Sequence, residues 1–99
     1  MPLVLQIENC DRLPDGGPVR IVVGPQGCQV GRAAGMHWVL PDPARHISSH
    51  HFDISFAEGG WWLTDRSTNG TFLRGSRYRL EAPHRLTHQD RFQVGHYTI

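Results

Sequence analysis

Five polar side chains in this sequence are of the types that bind a phosphate group and the main chain attached to it. They lie in three short segments and are Arg32, Ser48, Ser49, Thr68 and Asn69. A guanidinium presents a planar fork of donors that fits phosphate oxygens, and hydroxyls add single donors. An asparagine amide offers a donor and an acceptor that suit a peptide main chain. The set indicates binding of a phosphorylated chain rather than catalysis.

Each of these residues alone also has an ordinary structural explanation. Arg32 follows a glycine and suits the solvated end of a strand, and serine and threonine are common in loops because they hydrogen bond locally. Asn69-Gly70 lies between two apolar segments and predicts a tight hairpin turn, because both residues tolerate positive φ. Only the joint occurrence of the segments favours a binding site.

Turn signals arrive at close, fairly even intervals, and no segment between them is long enough for an ordinary helix. The intervening segments are rich in β-branched and aromatic residues, which favour strands. In the clearest strand Phe52, Ile54 and Phe56 alternate with polar residues and should share an inward face. Adjacent Trp61 and Trp62 should point to opposite faces, one into the core and one outward. The predicted strands cover 3–8, 19–23, 28–31, 51–56, 61–65, 71–74, 78–80, 91–94 and 96–99. This spacing predicts an all-β fold, an antiparallel sandwich.

Length and composition exclude several classes of protein. The 99 residues suffice for one small domain, and the formal net charge of +1 is far below the basic excess of a general nucleic-acid binder. The apolar runs are too short to span a bilayer, so we expect no membrane insertion and a cytoplasmic location. Cys10 and Cys28 are too few for a disulfide scaffold and are expected to be reduced thiols.

Neither a metal site nor an enzyme is expected. The chain has seven histidines, but adjacent His50 and His51 would point to opposite faces of a strand and could not converge on one ion. Ser48, His51 and Asp53 are the residue types of a catalytic triad, yet the serine lacks the Gly-x-Ser-x-Gly turn of a nucleophile. No segment has the glycine and lysine spacing of a nucleotide-binding loop.

The order of the motifs resembles the forkhead-associated family, whose members read phosphothreonine peptides. The resemblance rests on Val30-Gly31-Arg32, Ser48-Ser49-His50-His51, residues 65–72 and residues 89–95. It implies a two-sheet antiparallel β-sandwich of about eleven strands, with the binding loops at one end. By the same resemblance, the phosphate would be bound by Arg32, Ser48, Ser49 and Thr68, and the peptide main chain by Asn69. The binding loops would be supported by Gly31, His51 and Gly70, and no cofactor would be needed.

A narrower resemblance concerns the type VI secretion branch of this family. It rests on residues 38–43, on Ile47-Ser48-Ser49 and on Gly95-His96-Tyr97. It implies that residues 1–99 are one domain, the amino-terminal module of a longer bacterial protein that helps to control assembly of the secretion machine. The partner would be a phosphothreonine-containing protein or peptide, such as a threonine kinase or its secretion-system substrate.

Two departures from the family pattern leave alternatives open. Ser49 stands where the family often has a larger polar or basic residue, and Arg74 stands where it often has asparagine. A basic rim, made of Arg45, His46, His50 and Arg66, would compensate and would favour acidic or doubly phosphorylated peptides. The alternative function is a scaffold that binds its partner without phosphate, through a sheet face or an exposed edge, where an exposed Trp61 or Trp62 would anchor the interface.

Overall fold

A computed structural model describes residues 3–99 and shows a chain built from ten β-strands. The strands are β1 (Leu3–Gln6), β2 (Arg20–Val23), β3 (Cys28–Gly31), β4 (Trp38–Val39), β5 (Phe52–Ala57), β6 (Gly60–Asp65), β7 (Thr71–Leu73), β8 (His84–Arg85), β9 (Phe92–Val94) and β10 (Tyr97–Thr98). The described residues contain no helix that is long and apolar enough to cross a membrane.

The strands form two packed layers. One layer is a five-stranded sheet with the order β4-β3-β5-β6-β8. The other contains the three-stranded sheet β10-β9-β7 and the pair β1-β2, which are connected where the Glu8 main-chain N–H donates to the Thr98 carbonyl at 2.7 Å. All paired strands are antiparallel except β3 and β4, which are parallel. The prediction of an all-β sandwich is therefore confirmed, with one parallel pair inside it.

The core lies between the two layers and is formed by side chains from both. Phe52 and Ile54 of β5 are buried, as their alternation predicted. Phe56 is 42% exposed, so its predicted place in the core was wrong. Phe56 lies beyond the last residue of β5 that pairs with β3, close to the turn into β6, and its ring packs edge-on against that of Trp61.

The adjacent residues Trp61 and Trp62 are both partly buried. Trp61 packs partly against the core, and the indole of Trp62 donates to the Ala57 carbonyl at 3.0 Å. The predicted division of the two tryptophans therefore holds in part: Trp61 packs against the core, and Trp62 contacts the turn that joins β5 and β6 instead of being fully exposed.

Three other local predictions also differ from the structure. The predicted strand 78–80 is reduced to a single bridge between Phe72 and Arg79, and the short strands β4 and β8 were not predicted. Asn69-Gly70 does not form a hairpin turn, since β6 and β7 belong to different layers. Of the two, only Gly70 has positive φ, at 100°. Residues 66–70 are a crossing loop between the layers, which a local turn signal cannot distinguish from a hairpin.

Strand register brings three loops to one end of the sandwich. Val30 near the end of β3 pairs with Phe52 at the start of β5, and Phe52 pairs with Asp65 at the end of β6. The chain that leaves β3, the chain that enters β5 and the loop that follows β6 therefore meet. These are the segments that carry the residues singled out in the sequence.

Candidate functional site

The end of β3 is bonded to the segment that leads into β5. The main-chain N–H groups of Arg32 and Ala33 donate to the carbonyls of Ser48 and Ser49 at 3.0 and 3.2 Å, and the His51 N–H donates to the Val30 carbonyl at 2.8 Å. Gly31 is buried at the centre of this contact. A Cβ atom on Gly31 would lie 2.2 Å from the Ser49 carbonyl oxygen, so only glycine permits the approach.

The Arg32 side chain is half-buried and partly anchored. Its Nε donates to the Ile47 carbonyl at 3.0 Å, and its Nη2 lies 3.4 Å from the Ser49 hydroxyl. Within residues 3–99 its Nη1 makes no hydrogen bond. The anchored Nε fixes the plane of the guanidinium, while donors on the outer edge stay available for an anion.

His51 links the loops from inside the fold. Its side chain is fully buried; its Nδ1 lies 3.1 Å from the Ser48 N–H and its Nε2 lies 3.0 Å from the Gly70 carbonyl. Because a main-chain N–H must donate, Nδ1 is the acceptor, and the proton is therefore on Nε2, which donates to Gly70. The imidazole is neutral, and burial lowers its pKa below the ordinary value.

The loop 66–70 is held by Asp65 at the end of β6. One carboxylate oxygen accepts the Ser67 N–H at 3.2 Å, the Ser67 hydroxyl at 2.5 Å and the Thr71 hydroxyl at 2.9 Å. The Ser67 hydroxyl in turn accepts the Gly70 N–H at 2.7 Å. Burial would raise the pKa of Asp65, but the hydrogen bonds from Ser67, Arg79 and Thr71 outweigh it and lower the pKa.

Thr68 and Asn69 lie exposed at the tip of this loop and contact the neighbouring segment. The Thr68 N–H donates to the Ser48 hydroxyl oxygen at 2.9 Å, and Asn69 Nδ2 donates to the His46 carbonyl at 3.0 Å. The structure thus brings every sequence-predicted site residue into one cluster. A shallow depression of about 220 Å³ borders it, lined by His46, Asn69, Gly70, Phe72, Gln93 and Gly95.

Within the described part of the chain, two of the four residues of the predicted basic rim form ion pairs, and the other two do not. His50 Nε2 pairs with one carboxylate oxygen of Asp53, and Arg66 Nε donates to the other at 3.0 Å. Arg45 and His46 are exposed and form no ion pair within residues 3–99. The unpaired part of the rim is therefore Arg45 and His46.

Two structurally important residues were not singled out in the sequence. Asp42 is buried, and its carboxylate accepts the Ala44 and Ile47 N–H groups at 3.1 and 2.9 Å, which shapes the segment before Ser48. The Asp-Pro pair and its local turn chemistry were a usable signal. Arg79 contacts loop 66–70 from outside all the motifs, and no spacing pattern indicated it.

Among the described residues, the loop cluster differs from two other kinds of site, a metal site and an enclosed cavity. Residues 3–99 contain no group of three or more His, Cys, Asp or Glu placed to hold a metal ion. The larger cavity, about 560 Å³, lies elsewhere, between β1 and residues 86–90. The cluster is an open, donor-rich surface.

The buried neutral His51 predicts a specific pH dependence of stability. Because its folded-state pKa is lowered, the unfolded chain binds more protons below about pH 6.5. The contribution of His51 is therefore complete above that pH and is lost as pH falls through the folded-state pKa, at up to about 1.4 kcal/mol per pH unit. Chemical denaturation between pH 7.5 and pH 5 measures this loss.

The matched control is His88→Gln, which removes an exposed histidine and keeps His51, so the loss attributed to His51 should persist in this variant. The ring nitrogen resonances of His51 should also show protonation on Nε2 alone at pH 7. A free energy of unfolding that is constant over this range, or a protonated Nδ1, would contradict the assignment.

Comparison with known proteins gives the family. The sequence model of the FHA (forkhead-associated) domain matches residues 28–95, well over half of the chain. The chain belongs to the FHA domain family. No individually curated protein sequence gives a significant match.

Solved FHA domains share this fold over almost the whole chain. A structure from a structural and functional study of phosphothreonine-dependent FHA domain interactions has a TM-score of 0.76 and 22% identity, and the match covers 99% of this chain and 92% of that one. The FHA domain of the CT664 protein from Chlamydia trachomatis has a TM-score of 0.77 and 19% identity, with 99% and 93% covered. The FHA domain of an Arabidopsis thaliana protein has a TM-score of 0.75 and 28% identity, with 98% and 80% covered. FHA domains are interaction modules, and this chain is one by family.

Proposed function

We propose that this FHA domain binds phosphothreonine-containing peptides or proteins through the loop cluster around Arg32. The observation that carries the proposal is the anchored guanidinium, which lies beside the Ser49 hydroxyl with outward donors unused within residues 3–99. A phosphothreonine brings a charge of about −1.5 to −2 and three acceptor oxygens, which this arrangement suits.

The remaining roles follow from the hydrogen bonds that each side chain still has available. The Ser48 hydroxyl accepts from Thr68 and can still donate its own proton to a phosphate oxygen. The hydroxyls of Ser49 and Thr68 are further donors beside it. Asn69 uses one amide proton on His46, so its carbonyl oxygen and second proton remain for a peptide main chain. Residues Gly31, His51 and Gly70 then support the loops without touching the ligand.

Related structures support the ligand class. One related structure comes from work on phosphothreonine-dependent FHA interactions, and another shows EmbR of Mycobacterium tuberculosis with a low-affinity phosphopeptide. The FhaA FHA domain, 23% identical to this chain, is complexed with the intracellular domain of Rv3910. Phosphopeptide binding by domains of the same fold favours the same use of the loops here.

The finer part of the proposal concerns the biological setting. We infer a module of a longer bacterial, cytoplasmic protein that acts in control of type VI secretion. The segments 38–43, 47–49 and 95–97 support this inference through the sub-family resemblance. Its partner would be a threonine kinase or a secretion-system substrate that carries phosphothreonine.

A titration with matched peptides tests the ligand class. A phosphothreonine peptide library, its phosphoserine counterpart and its unphosphorylated counterpart are titrated into the domain by fluorescence anisotropy. We expect selected phosphothreonine peptides to bind at least about 10-fold more tightly than their unphosphorylated forms, since hydrogen bonds to a charged group are the stronger ones. Equal binding of both forms would instead support the phosphate-independent scaffold, and no binding of any peptide would contradict the proposal.

A further inference from the structure

Arg79 reaches the candidate site from a separate part of the chain. It lies in the segment that returns along β7, where it forms a bridge with Phe72. Its side chain donates to three acceptors: Nη2 to the Asp65 carboxylate at 2.6 Å and to the Ser67 carbonyl at 2.7 Å, and Nη1 to the Thr68 carbonyl at 3.1 Å. One guanidinium therefore holds both the base and the tip of loop 66–70.

These contacts determine where the neighbouring N–H groups point. In a trans peptide the carbonyl and the following N–H point in opposite directions, and residues 3–99 contain no cis peptide. With the Ser67 carbonyl on Arg79, the Thr68 N–H points the other way and donates to Ser48. With the Thr68 carbonyl also on Arg79, the Asn69 N–H points to the same side as the Thr68 N–H. It makes no hydrogen bond within residues 3–99.

Two successive N–H groups that point to one side form a small concave donor surface suited to an anion. Here the Thr68 N–H already donates to the Ser48 hydroxyl, which belongs to the proposed phosphate site, so the Asn69 N–H is the donor that remains for a ligand within residues 3–99. Within residues 3–99, Arg79 is the only group that holds either of these two peptide planes at its carbonyl oxygen. The plane between Ser67 and Thr68 is held in addition by the bond from the Thr68 N–H to Ser48.

We propose that Arg79 is a positioning residue for phosphopeptide binding: it orients the peptide planes of Ser67 and Thr68 so that the Ser48 hydroxyl and the Asn69 main-chain N–H face the ligand. This rests on the proposed function. The Asn69 N–H is then a further donor to the phosphopeptide, in addition to its side-chain amide. Asp65 acts with Arg79, since its carboxylate fixes the guanidinium that fixes the loop.

Arg79→Met tests the proposal, because methionine keeps much of the side-chain length and removes every donor. Arg91→Met is the matched control: Arg91 pairs with Glu8 at 2.8 Å, and its side chain is 38% exposed, against 41% for Arg79. We expect Arg79→Met to weaken binding of a selected phosphothreonine peptide about 10-fold, a change of about 1.4 kcal/mol. Arg91→Met should bind as the wild type does.

Arg79→Lys separates positioning from charge, because it keeps the positive charge but cannot bond three acceptors in the same geometry. We expect it to recover only part of the affinity. In the free proteins, amide exchange at Thr68 should be faster in both Arg79 variants and unchanged in Arg91→Met. If Arg79→Met does not fold, the affinity and the Thr68 amide exchange of Arg79→Lys test the positioning role of Arg79.

The outcomes separate the two proposals. If the wild type binds the phosphopeptide and Arg79→Met binds it with equal affinity, the role of Arg79 is overturned and the proposed function is left intact. Full recovery by lysine with unaltered Thr68 exchange would show a charge effect alone and would also overturn it. Absence of phosphopeptide binding by the wild type would overturn both.

Discussion

Replacement of Arg32 by alanine is expected to weaken binding of phosphothreonine peptides by about 100-fold or more. Its guanidinium is held beside the proposed phosphate position by the bond from Nε to the Ile47 carbonyl, and its outer donors remain available to the ligand. A hydrogen bond to a charged group contributes about 1.5–3 kcal/mol, so the loss of a bidentate contact accounts for that factor. Anisotropy titration with a selected peptide and its unphosphorylated form measures the effect.

The Arg32→Lys variant is the matched test of geometry, because it keeps the charge and removes the planar fork. We expect an intermediate loss. The Arg32→Ala domain should remain folded, since the variant loses one main-chain contact worth about 1 kcal/mol. Retained affinity in a folded Arg32→Ala domain would contradict the proposed site, whereas equal loss for unphosphorylated peptide would point to a role outside phosphate recognition.

Replacement of Gly31 by alanine is expected to reduce both stability and phosphopeptide binding. The added Cβ would lie 2.2 Å from the Ser49 carbonyl oxygen and 2.9 Å from the His51 main-chain nitrogen. Both are backbone atoms bonded into the loop cluster, so neither can move aside as a flexible side chain would. Overpacking of this kind costs typically about 1–3 kcal/mol, which lowers the midpoint of thermal unfolding by roughly 4–8 °C per kcal/mol in a domain of this size.

Gly35→Ala is the control, because Gly35 lies close by in the connection between β3 and β4. A Cβ at Gly35 meets no atom within 4 Å, and its φ is not positive, so stability and binding should be unchanged. Thermal unfolding and the peptide titration are measured on both variants. A Gly31→Ala domain as stable as Gly35→Ala would contradict the tight packing of Gly31 against residues 48–51.

Much of the candidate site was predicted from the sequence because its side chains lie in short motifs whose chemistry is local. The guanidinium of Arg32, the hydroxyls of Ser48 and Ser49 and the amide of Asn69 were proposed from residue type and from order along the chain. The capacity of such side chains to donate hydrogen bonds is a property of the residue type and does not depend on the fold. The alternation of Phe52 and Ile54 likewise predicted an inward face, since strand periodicity is local.

Predictions failed where the answer depended on which strands pair. Asn69-Gly70 is followed by β7, which pairs with β9 across the chain and not with β6, so the turn signal indicated a hairpin that does not exist. Phe56 follows the alternation of β5 but lies beyond the last residue of β5 that pairs with β3. Strand pairing is decided by contacts between distant segments, and no local pattern contains that information.

The sequence by itself determined the β-rich character of the chain and the chemical types of the side chains in the candidate site, because both depend on individual residues and their immediate neighbours. Only the tertiary structure decided how those groups are aimed. The buried neutral His51 between two loops and the guanidinium of Arg79 on the Ser67 and Thr68 carbonyls join segments far apart in the chain. Such bonds form only once the two layers pack, so the geometry of the site is a product of the whole fold.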